Sequence, residues 1–182
     1  ANLVCSSLMT TATTLRHGSI QEKGVTEEEL INLIDDTKWA DDFSREEVKS
    51  IAKYVTAYEA PSGVYLVREG KQEAYLCLIL EGRAQIVKEK SFESRESTEL
   101  NFASSGQAIG EISLLDNQPR SASVITTKKT FFLVLEQTDF EEMTKEVPRL
   151  AIKFLRKIAT LLCQRLRQTS GKLVQDLDIT GK

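Results

Sequence analysis

Hydrophobic positions change their period twice along the chain. Between Thr26 and Val55 they recur at helical spacing: Leu30, Leu33 and Ile34, then Val48, Ile51, Ala52 and Val55. A capping-box sequence opens each run, Thr26-Glu27-Glu28-Glu29 and Ser44-Arg45-Glu46-Glu47. Two short amphipathic helices are predicted, with Trp39 and Phe43 between them packing onto the core. From Val55 the period drops to two, and turn residues fall at regular intervals (Pro61-Ser62-Gly63, Glu69-Gly70, Glu81-Gly82). Strands are predicted at 55–59, 64–68, 74–80, 84–88, 99–103, 121–126 and 130–135. The segment 88–98 carries charges of both signs and reads as a solvated hairpin loop.

After the strands the helical period returns. A short helix over 139–146 ends at Pro148, and a longer one follows with Leu150, Phe154, Ile158, Leu161, Leu162 and Leu166 on its apolar side. The predicted class is therefore mainly β with flanking α-helices: an antiparallel β-roll or jelly-roll barrel with N-terminal helices and a long C-terminal helix. The expected organisation is a flexible tail (1–25), a helical segment (26–54), the barrel (55–136) and C-terminal helices (137–182).

Composition narrows the class. At 182 residues, 41% hydrophobic and 28% charged, the chain suits one soluble domain with helical appendages. A formal charge of −3 gives no global field for nucleic acid or membrane. No apolar run reaches the ~18 residues of a spanning helix, and no charged-then-apolar leader is present. The first residue is Ala1, which suggests an excised fragment. Cys5, Cys77 and Cys163 are odd in number and widely spaced; Cys77 and Cys163 sit in apolar runs, so buried reduced thiols in a cytoplasmic protein are expected. His17, the sole histidine, lies in the Ser/Thr-rich tail without companions for a metal. From Lys145 to Lys172 eight basic residues face one acid, Glu146, which reads as a solvated helix face rather than a nucleic-acid surface.

One stretch carries chemistry: residues 106–124, GQAIGEISLLDNQPRSASV. Gly110-Glu111-Ile112 marks the passage from an apolar strand to a short helical turn over 111–115, and a polar loop over 116–118 leads to Pro119 and Arg120. Free N–H groups at a helix start, a glycine that permits close approach, and an arginine fork make an anion site. Ser121 adds a hydroxyl. Glu111 cannot donate to a phosphate but accepts from a hydroxyl. One arginine and one carboxylate suit a ligand with a single negative charge and a nearby hydroxyl; a ribose bearing a cyclic phosphodiester has both.

On these residues the chain resembles the cyclic nucleotide-binding domains. Gly110-Glu111-Ile112-Ser113-Leu114-Leu115 and Pro119-Arg120-Ser121-Ala122-Ser123-Val124 are similar to that family's phosphate-binding cassette, in order and at its spacing. The barrel segments 65–70, 75–82 and 85–87 are similar as well. Within the family the sequence resembles the sensor domain of the catabolite activators, over roughly 39–170. The resemblance implies that Glu111 holds the ribose 2′-hydroxyl and Arg120 the cyclic phosphate, with Gly110, Ile112, Ser113, Ser121 and Ala122 completing the ligand-binding cassette. Gln164 to Lys172 is similar to the activators' dimer helix, which implies Thr169 and Ser170 as base contacts and a homodimer through the helix from Leu150 to Leu166. Residues 177–182 are similar to the hinge that precedes a DNA-binding domain; no recognition helix follows here, so no direct nucleic-acid contact is expected.

The implied ligand is cyclic AMP, because a serine such as Ser121 accompanies it after the cassette arginine, with cyclic GMP as the alternative. No cofactor and no catalytic residue are expected. The expected function is a regulatory sensor that passes ligand binding through its C-terminal helix to an effector. Two alternatives stay open: an assembly module on the same fold, or the sensor half of an activator-like regulator. A metal-dependent jelly-roll enzyme is disfavoured, since that chemistry uses several histidines.

Overall fold

Both capping boxes form in the computed structural model, which describes residues 19–89 and 97–180. The Thr26 hydroxyl accepts from the Glu29 amide while the Glu29 carboxylate accepts from the Thr26 amide, opening α1 (Glu27–Asp35). Ser44 and Glu47 repeat the exchange at the start of α2 (Arg45–Ala52). Leu30, Ile31 and Ile34 of α1 are buried, as are Val48, Ile51 and Ala52 of α2. Between the helices Trp39 and Phe43 are buried and stack with ring centroids 5.0 Å apart. The expected core role of both rings holds.

The strands are β1 (Gln21–Glu22), β2 (Thr56–Ala60), β3 (Tyr65–Val67), β4 (Tyr75–Glu81), β5 (Arg83–Glu89), β6 (Ser97–Ser104), β7 (Ala108–Ile109), β8 (Ser123–Thr126) and β9 (Thr130–Glu136). They form a five-stranded sheet, β1-β2-β9-β4-β7, and a four-stranded sheet, β3-β8-β5-β6, antiparallel throughout. Inward residues of both sheets meet in one core: Tyr58, Tyr75, Cys77, Ile79 and Phe132 from the first, Leu66, Ala84, Ala103 and Val124 from the second. On β4 the alternate positions Leu76, Leu78 and Leu80 are also buried, which is why that strand reads as a continuous apolar run. Gly82 turns β4 into β5 at φ 96°, and a Cβ there would meet the Lys129 carbonyl and stand 2.7 Å from Thr130 Cα, so a side chain is excluded on two counts.

Two expectations shift. The predicted tail ran through residue 25, but Gln21 and Glu22 pair with Glu59 and Tyr58, and Ile20 joins the core. A two-residue strand is too short to show a period. Cys77 is buried as expected, whereas Cys163 is exposed. Counting ~100° per residue from buried Ile158, position 163 lies about 140° round the helix, off the buried face. Cys5, His17 and most of the 88–98 loop lie outside the described residues.

Compactness divides the chain into a first unit ending at Glu141 and a second from Glu142 to Lys182. The second contains the end of α4 (Gln137–Glu146), whose predecessor α3 (Glu111–Asp116) lies in the first unit, and all of α5 (Pro148–Thr180). Pro148 occupies the first position of α5, where its missing N–H costs nothing. α5 runs unbroken through Thr180, so the segment read as a hinge at 177–180 continues the helix.

Candidate anion-binding site

β7 ends at Ile109, and the chain enters α3 through Gly110 at φ 78°, ψ 11°. A Cβ at this position would stand 2.6 Å from Arg120 Nη1 and 2.8 Å from the Tyr75 carbonyl. Both the backbone angle and the packing therefore require glycine. Glu111 follows and is buried, as is Ser113. Ile112 and Leu115, on the other side of this single turn, are 44% and 43% exposed.

The return to Arg120 is shaped locally and clamped from afar. Asn117 adopts the left-handed conformation at φ 54°, and the Asp116 carboxylate accepts from the Gln118 amide at 2.9 Å. The Arg120 amide then donates to the Lys71 carbonyl and the Gly70 amide to the Arg120 carbonyl, each at 2.9 Å. Nearby, the Glu69 amide donates to Ser123 Oγ at 2.9 Å. The loop between β3 and β4 thus fixes where the arginine stands, although some 50 residues separate the two segments.

Arg120 is only 3% exposed. Its Nη1 donates to the Gly110 carbonyl at 2.8 Å, and its Cζ stands 4.1 Å from the centroid of the Tyr75 ring. Nε and Nη2 are buried with no hydrogen-bond partner among the described residues. Those two nitrogens share one edge of the guanidinium, the edge that presents two parallel N–H bonds to a pair of oxygens. A buried cation with unmade donors costs several kcal/mol unless a ligand completes it. Such an edge can bind an anion through two oxygens.

The surroundings are apolar and tightly held. Burial pushes the Tyr75 hydroxyl well above its usual 10.0, and pushes the Cys77 thiol up to about 12, while the charge of Arg120 pulls both down. Both groups are therefore neutral at ordinary pH. At the rim, Lys88 Nζ donates to the Ser121 carbonyl at 2.8 Å and pairs with Glu69 at 3.3 Å.

Of the residues singled out from the sequence, Gly110, Glu111 and Arg120 come together at one place. Ser113 is buried in α3, Ser121 is exposed and Ala122 half-buried beside the arginine. Thr169 and Ser170 belong to the second unit; both are exposed on α5, where the Thr169 hydroxyl donates to the Arg165 carbonyl. Sequence reasoning missed Tyr75, Lys71 and Lys88, which reach the site from other strands and loops and carry no local signature of doing so. Among the described residues, no three His, Cys, Asp or Glu side chains gather as a metal site, and no helix is long and apolar enough to cross a membrane.

Residues 58–147 match the family model described as "Cyclic nucleotide-binding domain". Over 128 residues, 70% of this chain, the sequence is 29% identical to the "Cyclic AMP receptor protein" of Thermus thermophilus. That match spans 56% of the receptor's own length. Among solved structures, the fold is similar to a cyclic nucleotide-binding domain from Methylobacillus flagellatus, with 27% identity, a TM-score of 0.75, and coverage of 92% of this chain and 93% of that one. It is also similar to the Thermus thermophilus catabolite activator protein, with 26% identity, a TM-score of 0.65, and coverage of 75% and 62%.

Proposed function

Residues 58–147 belong to the cyclic nucleotide-binding domain family, and from that premise we propose that this chain binds cyclic AMP and passes the binding event to an effector. The observation that carries the reading is the Arg120 edge, Nε and Nη2, buried and unpartnered. A cyclic phosphodiester offers two exocyclic oxygens and one negative charge. A linear nucleotide brings a second charge, and Arg120 is the one buried cation among the described residues, with Glu111 buried in the same cassette. In this reading Glu111 accepts from the ribose 2′-hydroxyl, Gly110, Ile112, Ser113, Ser121 and Ala122 complete the cassette, and Thr169 and Ser170 are proposed as base contacts on the strength of the resemblance. Ser121 after the arginine, and the name of the Thermus thermophilus relative, favour cyclic AMP over cyclic GMP.

Transmission follows from differential affinity. A ligand shifts a conformational equilibrium only by the difference in its binding to the two states, typically about 1–3 kcal/mol of coupling. The output is a partner or attached domain, acting as a regulator rather than a catalyst in keeping with the family, and the setting is the cytoplasm.

A second copy of the chain is the proposed first partner. On α5, Leu150, Phe154 and Ile158 are buried within the single chain. Ile152, Leu155, Ala159, Leu162 and Leu166 follow a separate alternation of three and four residues, and its ends, Ile152 and Leu166, are 59% and 68% exposed. That spacing is the seam of a two-stranded coiled coil. The apolar stripe expected over 150–166 is thus two stripes, of which the second is available for a dimer.

Calorimetric titration with cyclic AMP, cyclic GMP and 5′-AMP tests the proposal. Micromolar or tighter binding of cyclic AMP, weaker binding of cyclic GMP and none of 5′-AMP is the expected order. Equal binding of 5′-AMP and cyclic AMP would remove the phosphodiester reading, and no binding of any would leave the barrel as an assembly module.

A further inference from the structure

We propose that Tyr75 is the positioning residue of this site: the face of its ring holds the Arg120 guanidinium in the pose that keeps Nε and Nη2 unpaired for an anion. The inference rests on the reading of Arg120 as the phosphate-binding group.

A planar cation in a pocket needs two restraints to keep one orientation. The bond from Nη1 to the Gly110 carbonyl, 2.8 Å, fixes one corner but leaves the plane free to rotate about that contact. The Tyr75 ring, with Cζ 4.1 Å above its centroid, restrains that rotation. Tyr75 is itself held on several sides. It is 1% exposed, its hydroxyl donates to the Leu66 carbonyl at 2.6 Å with Glu73 Oε2 as a second acceptor at 3.2 Å, and its own carbonyl packs against Gly110. One residue therefore touches both halves of the cassette.

The choice of an aromatic group has a physical reason. A buried guanidinium needs negative potential nearby, and a carboxylate would supply it through the in-plane N–H bonds, the same ones the ligand requires. The ring supplies it from above the plane and occupies none of them. Charge compensation and ligand access are separated by direction. The arginine is charge-compensated while Nε and Nη2 keep their bonds unmade, which is their state among the described residues.

The test uses the full chain with Tyr75→Phe, Tyr75→Leu, and pentafluorophenylalanine at position 75, which keeps ring size but removes the negative face. Two readouts are taken: cyclic AMP affinity, and the Arg120 Nε–H signal in the 1H–15N spectrum of the unliganded chain, assigned by its loss in Arg120→Lys. Tyr75→Phe is expected to bind within about twofold of wild type, and the leucine and pentafluoro variants roughly 5- to 30-fold more weakly, with the Nε–H signal exchange-broadened. Wild-type affinity and an unchanged Nε–H signal in the pentafluoro chain would overturn the proposal. That comparison stands alone if Tyr75→Leu fails to fold, because a residue that merely fills space would not distinguish two rings of similar size. If the wild-type chain binds no cyclic nucleotide, the proposed function falls, and the Nε–H signals of the free chains still decide the role of Tyr75.

Discussion

The Arg120 guanidinium and the Gly110 carbonyl are 2.8 Å apart, and they are so because residue 110 has no side chain. The glycine admits the arginine, and the arginine fills the space that the glycine leaves. Ten residues apart in sequence, the two form one unit, and the cassette stands or falls with both.

Gly110→Ala should therefore fail twice. Its Cβ would meet Arg120 Nη1 at 2.6 Å and the Tyr75 carbonyl at 2.8 Å, and φ is 78°. A loss of about 2–3 kcal/mol in stability is expected, from left-handed strain plus displaced packing. Denaturant unfolding reads the stability, and calorimetry should find the ligand affinity lowered as well.

Arg120→Leu should separate function from stability. Removing a buried cation whose Nε and Nη2 lack partners among the described residues relieves a cost that offsets the lost Nη1 bond to Gly110 and the Tyr75 contact, so the net change in stability should stay within about 1 kcal/mol. Cyclic AMP at 100 times its dissociation constant should stabilise the wild type by about 2.7 kcal/mol and the variant not at all. Thermal scans with and without ligand check both halves.

Cys77 should leave a mark on the alkaline limb of stability. The folded thiol holds its proton up to about 12, whereas an ordinary one gives it up near 9.0. The folded state thus binds the proton more tightly. The associated stability is complete below pH 9 and is lost as pH rises toward 12. Tyr75, shifted in the same direction by burial, adds to this loss. Unfolding measured from pH 8 to 11 should show the decline, and Cys77→Ala should flatten part of it. At neutral pH a thiol reagent should modify Cys163 quickly and Cys77 only on unfolding.

Glu59 should govern the attachment of β1. Its carboxylate pairs with Lys129 at 3.0 Å and Lys23 at 3.4 Å, and the Lys129 hydrogen bond is the main cause of its lowered pKa. A depressed carboxylate stabilises above its unfolded value near 4.5 and stops doing so as pH falls through the folded value. Glu59→Gln should speed exchange of the Lys23 amide, which donates to the Ala57 carbonyl at 2.9 Å, without altering the β4–β9 ladder. Hydrogen exchange by mass spectrometry distinguishes the two.

The exposed stripe of α5 offers a test of self-association. Ile152→Glu with Leu166→Glu should turn a dimer into a monomer while leaving the monomer's unfolding free energy within about 0.5 kcal/mol. Sedimentation read beside denaturant unfolding checks this; a monomeric wild type would withdraw the dimer.

Much of this could be read along the chain because the governing interactions are short-range. A capping box closes within three residues, so Thr26 and Ser44 announced α1 and α2. Strand positions followed from a period-two pattern and from turn glycines. Seven strands were anticipated within a few residues of where they lie, and the apolar pair that forms β7 was legible as the run before Gly110. Gly110, Glu111 and Arg120 were recognisable as a set because one segment contains all three. What pattern reading left out depends on contacts between distant segments. Tyr75 lies 45 residues before Arg120, and nothing in Ala74-Tyr75-Leu76 distinguishes a platform for a cation from an ordinary core aromatic. Periodicity marks apolar positions without saying which are already covered, so Cys163 and the two stripes of α5 sorted themselves out through helix phase and packing. The same holds for the arginine. A sequence declares a charge, but its burial, and the two nitrogens left unpaired, arise where Gly110, Tyr75 and the loop at Gly70 and Lys71 come together on it.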